Sequence, residues 1–253
     1  MRHLQFNQLT KRYGAVAALV DISLAIERGS VLALLGPNWA GKSTLFGCLL
    51  GFVRQTSGAI LFDAIPGSAA HRCLIGYMPE RIALYPHSTV RENGLFFAQL
   101  KRQPPSELER QLKRVGLHDV QDRQARQLSK GMLQRLGLAI ALCGAPDLLI
   151  LDEPFNGLDP ALLETLQQIL AEENHRGATL LISTHTMSAV EPLTTHVAVL
   201  LEGRLAAHGT IEELRAAFGE QSLEQIYHQI ARQGRGDRVI RAAAQLAIVE
   251  QTA

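Results

Sequence analysis

Apolar and polar positions divide the chain into short extended runs and longer helical ones. Near the start, Leu4 and Phe6 alternate with polar neighbours, and residues 16–26 are rich in β-branched and apolar side chains with Asp21 and Ser23 interposed, so residues 3–26 read as strands. Tyr13 lies between the two runs beside Gly14, in a turn. Val31-Leu-Ala-Leu-Leu35 is continuously apolar, as a strand buried on both faces requires, and residues 45–50 continue as a helix. Short strands follow at 59–62, after Ser57-Gly58, and at 74–78, before Pro79-Glu80. The pattern then turns helical over 89–102, 106–115 and 130–143, broken by Pro104-Pro105 and the polar run 121–127. Extended runs return at 148–151, 179–183 and 197–201, with a helix over 160–176 between the first two. This alternation predicts an α/β fold whose parallel sheet is flanked by helices and interrupted by a helical insert. Leu223, Ile226, Tyr227 and Ile230 fall at helical spacing in the tail, a stripe that serves either core packing or a partner, and Arg235-Gly-Asp-Arg238 ends it.

Composition narrows the class. A chain of 253 residues, 47% hydrophobic and 19% charged, can bury a sizeable core. Its net charge of +1 provides no field to draw nucleic acid or an anionic membrane. Cys48, Cys73 and Cys143 are widely spaced, which fits reduced packing residues of a cytoplasmic protein. The N-terminus has no signal-peptide apolar region. The longest apolar tract, 136–151, is interrupted by Pro146-Asp147 and falls short of the ~20 residues a membrane helix needs, so service to a membrane implies docking on another chain.

The chemistry concentrates in Gly36-Pro-Asn-Trp-Ala-Gly-Lys-Ser-Thr44, at the predicted strand-to-helix turn. Gly36, Gly41, Lys42 and Ser43 satisfy the phosphate-loop pattern. Backbone N–H groups and the positive end of the following helix make an anion cradle there, which Asn38 and Thr44 also line. Lys42 is suited to the β- and γ-phosphates and Ser43 to Mg²⁺. A second chemical element is Leu148-Leu-Ile-Leu-Asp152-Glu153, an apolar strand ending in two acids. Asp152 is suited to the Mg²⁺ shell and Glu153 to polarising an attacking water. Ser129 is a good N-cap, and Gly131 permits close approach at the helix that follows, which makes a second anion-binding helix start. His71, His118 and His228 have no companions at metal-ligand spacing.

In this order the chain resembles the ATP-binding subunits of ABC transporters over roughly residues 3 to 217. Residues 128–135, Leu-Ser-Lys-Gly-Met-Leu-Gln-Arg, look like the family signature, and Asp152-Glu-Pro-Phe-Asn-Gly-Leu-Asp159 like its Walker B end and D-loop. Ser183-Thr-His185 looks like its switch histidine, Tyr13 matches the adenine-stacking aromatic, and Glu80 stands at the Q-loop position. The resemblance implies a P-loop NTPase core (1–84 and 146–217) with an N-terminal antiparallel β-subdomain, an inserted helical signature subdomain (85–145) and a helical tail (218–253). It further implies ATP and Mg²⁺ as cofactors, with Ser43, Asp152 and Glu80 towards the metal, and Lys42, Glu153 and His185 in catalysis. Two copies would sandwich two ATP molecules head to tail, each γ-phosphate meeting Ser129 and Gly131 of the opposite copy. Transmembrane permease subunits would dock near residues 85–100, holding a cytoplasmic protein on the inner face of the membrane.

Three positions depart from the usual pattern. Trp39 stands where the family usually has glycine, so its indole must point away from the phosphates; Lys130 and Met132 replace a glycine and a glutamine. The Ser-Lys-Gly-Met form and Glu80 resemble bacterial exporter-type (ABC-2-like) subunits. Drugs, lipids, polysaccharides and the copper-site maturation of nitrous oxide reduction all use such motors, and membrane chains choose the cargo. A soluble ABC-type ATPase acting on ribosomes or DNA is the rival reading, though such proteins usually carry two modules or long insertions. A regulator without turnover is disfavoured by Glu153 and His185 together.

Overall fold

The computed structural model describes residues 3–67, 71, 73–219, 221–233 and 240–241. They form two compact units, one from Met1–Gly67 with Ser183–Ala253, the other from Ser68–Ile182.

In the first unit β1 (His3–Tyr13) and β2 (Val16–Glu27) form an antiparallel hairpin, and β1 also pairs antiparallel with β4 (Ser57–Phe62), which meets the short β5 (Ile65–Pro66). The alternation seen in the sequence accounts for Leu4 and Phe6, which are buried between more exposed neighbours, and a register shift after Phe6 brings Leu9 into the core as well. The fully buried β3 (Val31–Leu35) leads through the phosphate loop into α1 (Lys42–Leu49) and runs parallel to β9 (His196–Leu201).

One strand departs from the expected parallel pattern. β10 (Arg204–Thr210) returns antiparallel to β9, and Leu201 pairs with Arg204. Only Glu202 and Gly203 lie between them, with φ of 50° and 76°. Two left-handed residues make the tight turn whose twist matches paired strands. Periodicity misses it because residues 204–210 include Ala206, Ala207, His208 and Gly209, too small and polar to mark a strand. The helix after β10, α2 (Ile211–Phe218), starts with a capping box between Thr210 and Glu213.

The tail helix α3 (Leu223–Gln233) buries Leu223, Ile226 and Ile230, so the stripe packs on its own unit. The segment 235–238 lies outside the described residues. Ile226→Ala should lower stability by about 2–5 kcal/mol, the usual loss for a buried aliphatic side chain. Urea unfolding checks it; an unchanged midpoint would place the tail outside the cooperative core.

In the second unit β6 (Ile75–Met78) pairs parallel with the fully buried β7 (Leu148–Asp152). The expected helices are present as α4 (Val90–Leu100), α5 (Pro105–Arg114), α6 (Lys130–Leu142) and α7 (Pro160–His175), with every end within about two residues of the sequence pattern. Thr89 and Glu92 form a capping box on α4. Arg114 joins α5 to α7 by hydrogen bonds to Glu173 and Glu172, both 2.7 Å. β8 (Thr179–Ser183) is buried throughout, as its apolar run requires.

Candidate nucleotide site

The phosphate loop is held from three sides. A Cβ on Gly36 would run into the Leu200 carbonyl of β9. Gly41 sits at φ 105°, and a Cβ there would lie 2.6 Å from the Ala18 carbonyl of β2. Neither position tolerates a side chain, which is why the loop needs glycine at both. The β9–β10 turn supplies the third support: the Gly203 amide donates to the Ala40 carbonyl (3.0 Å), and the Val20 amide donates to the Gly203 carbonyl (2.7 Å). Sequence reasoning missed this brace, because its two partners lie far apart along the chain.

Lys42 is buried, and its ammonium donates to the Gly36 carbonyl at 2.6 Å and to the Pro37 carbonyl at 3.4 Å. The cation is thereby aimed along its own loop. No side chain caps the start of α1, and its first turn holds no acid of its own, as a helix end that takes an anion requires. Asn38 and Ser43 are exposed and Thr44 is half-buried. Tyr13, at the end of β1, is 49% exposed, and the Lys11 ammonium lies 4.7 Å from its ring centroid. Lys11 also donates to the Arg54 carbonyl (2.8 Å), so a fixed cation sits over the tyrosine ring.

His185 lies two residues past β8 and is exposed. The Thr184 amide donates to the Leu34 carbonyl (3.4 Å), and the Thr186 amide to the Thr184 hydroxyl (2.9 Å). The structure therefore brings the histidine segment alongside β3, the strand that delivers the phosphate loop.

The remaining candidates belong to the second unit. Asp152 and Glu153 close β7 and are both buried. Asp152 has an electrostatic signature, since burial first and its negative charge second push the Tyr77 phenol up to about 12. Glu153 adopts φ 51°, a left-handed conformation that costs a non-glycine residue of order 1 kcal/mol and clusters at functional positions. Glu80, beyond β6, is exposed.

Ser129 is the N-cap of α6, and its hydroxyl accepts from the Met132 amide at 3.2 Å. A Cβ on Gly131 would lie 2.8 Å from the Leu162 side chain, so the glycine lets the helix start approach α7. Within this unit the helix start and the loop after Glu153 are tied together: Gln134 donates from Nε2 to the Asn156 carbonyl at 2.9 Å. Gln134 was not singled out in the sequence, where it reads as one polar residue in an apolar helix. Its burial and its bond to Asn156 are visible only in the structure.

Comparison with known proteins shows the family. Residues 19–156 match the family described as ABC transporter. A lantibiotic transport ATP-binding protein of Streptococcus pyogenes is 36% identical over 225 residues, covering 89% of this chain and 96% of the relative. The structure of an ATP-binding subunit of an ABC transporter superposes with a TM-score of 0.83 at 31% identity, over 90% of this chain and 99% of that one. A Clostridium perfringens subunit, part of an ABC transporter complex, has a TM-score of 0.75 at 31% identity, over 92% and 97%. This chain belongs to the ABC transporter ATP-binding family and is an ATP hydrolase of that type.

Proposed function

We propose that the chain is the motor of an exporter-type ABC transporter, pairing with a second copy around two ATP molecules and driving a separate membrane permease. The observation that carries this reading is the pair of anion-binding helix starts: α1, with the buried Lys42 aimed along its loop, and α6, with the exposed Ser129. In the proposed complex Tyr13 stacks on adenine. Gly36, Asn38, Gly41, Lys42 and Thr44 hold the phosphates, and Ser129 and Gly131 of the second copy close on the γ-phosphate. Glu153 orients and polarises the attacking water, and His185 bonds the γ-phosphate.

Ser43 and Asp152 would hold Mg²⁺, with Glu80 near its water shell. Among the described residues no three His, Cys, Asp or Glu side chains gather as a metal cluster. One hydroxyl and one carboxylate nonetheless suit magnesium, which keeps waters and takes its other ligands from phosphate oxygens. Bound there, it would neutralise charge developing on the transferred phosphoryl group.

Residues 85–145 would act as the helical subdomain that meets the permease. Tyr85 and Phe96 are exposed and pack edge to face at 5.3 Å. Beneath them the fully buried Asn93 accepts from the Tyr85 amide (2.8 Å) and donates to the Tyr85, Ser88 and Thr89 carbonyls. A rigid aromatic patch suits the cytoplasmic helices of a membrane subunit. Among the described residues no helix is long and apolar enough to cross a membrane itself. The similarity to the lantibiotic transport subunit and the Ser-Lys-Gly-Met signature favour an exporter, acting at the inner membrane face with no nucleic-acid partner.

Light scattering tests the pairing. Glu153→Gln protein with MgATP should have a mass near twice the 27.7 kDa of one chain, and ADP should return it to one. A single-chain mass at every protein and MgATP concentration, with or without permease, would overturn the reading.

A further inference from the structure

Trp39 is the only tryptophan in the chain. It sits inside the phosphate loop, is 100% exposed, and adopts φ 72°. Each property is locally unfavourable: a bulky side chain resists the left-handed region, and a whole indole is left in water. No ring or polar contact engages it among the described residues. Lys130 is the counterpart. It is exposed at the first position of α6, where the helix dipole disfavours a cation, and no acid stands in the first turn to offset it. Among the described residues no hydrogen bond or ion pair holds its ammonium; the side chain lies along Gly157, where a Cβ would come within 2.7 Å of Nζ. The chain therefore places an unpartnered aromatic face in one half of the proposed sandwich and an unpartnered cation in the other, each at a local cost. Sites that break local rules are those where a partner supplies the compensation.

We infer that Trp39 is an interface residue whose indole packs against the start of α6 of a second copy, with Lys130 of that copy against its π face. This rests on the pairing of two copies proposed above. Cation–π contact with tryptophan is the strongest of its kind, and tryptophan is favoured at buried interface centres. Two-fold symmetry would make the contact twice, once at each ATP. The pair would favour the ATP-bound dimer of this chain over mixed dimers with relatives lacking either residue.

The single tryptophan provides its own probe. In Glu153→Gln protein, mass and tryptophan emission are recorded on the same samples, with MgATP, with MgADP and without nucleotide. In the MgATP dimer, emission moves to shorter wavelength and acrylamide quenching falls about threefold or more as the ring leaves water. In the MgADP monomer both stay as they are without nucleotide. Adding Lys130→Gln weakens the MgATP dimer about 5- to 30-fold, the range for losing two cation–π contacts at once. A dimer that leaves Trp39 as quenchable as the monomer overturns the inference and leaves the pairing intact. Protection already present in the MgADP monomer also overturns it, because the nucleotide and not the second copy then covers the ring. An unchanged dimer constant in the Lys130→Gln protein removes the lysine contact. Absence of any MgATP dimer overturns the inference together with the pairing it rests on.

Discussion

Glu153→Gln is expected to retain ATP binding while phosphate release falls by about 10²–10⁴-fold, the usual range for removing a positioned general base. The substitution keeps the shape and one hydrogen-bonding oxygen of the side chain, so the left-handed turn at the end of β7 has no reason to change. What it removes is the negative charge that, in the proposed mechanism, draws a proton from water. The neighbouring Asp152 remains, and a metal-binding role for Asp152 leaves nucleotide affinity in place. Phosphate release and equilibrium ATP binding, measured on the same preparation, separate the two steps. Turnover within about twofold of the parent would take Glu153 out of its role.

Lys42→Ala is expected to act earlier, on binding itself. The ammonium is buried and already directed at the Gly36 and Pro37 carbonyls, so little reorganisation separates it from a phosphate oxygen. A hydrogen bond to a charged group contributes about 1.5–3 kcal/mol, which corresponds to a loss of roughly 10- to 150-fold in MgATP affinity. Turnover at saturating MgATP should fall by a further 10²-fold or so, because the same charge stabilises the transferring phosphoryl group. AMP, which has no β- or γ-phosphate, should bind the parent and the variant alike. Equal MgATP affinity in both proteins would contradict the assignment. Lys42→Arg, measured beside it, keeps the charge and separates loss of folding from loss of contact.

The elements that carry chemistry were legible because their physical requirements are narrow. A strand buried on both faces must be continuously apolar, as Val31–Leu35 and Leu148–Asp152 are, and a loop approached by β2 and β9 must be glycine at residues 36 and 41. Ser129 caps its helix as its type predicts. What escaped depends on contacts distant in sequence. The β9–β10 turn braces the phosphate loop through Gly203 and Ala40, 163 positions apart, and no local pattern announces that. Gln134 matters because of Asn156, 22 positions away. Glu153 was read for its carboxylate, whereas its left-handed backbone is visible only in the structure.

The central claim is that the helix start bearing Ser129 completes the phosphate site of a different copy. Two variants test it, Lys42→Ala with a failed phosphate loop and Ser129→Arg with a failed helix start, each expected to be inactive alone. In a dimer holding one of each, one composite site joins the intact loop of the second variant to the intact serine of the first. An equal mixture should therefore recover about a quarter of the parent ATPase activity, since random pairing makes half the dimers mixed and each has one good site of two. A mixture no more active than the sum of its two components would contradict the account.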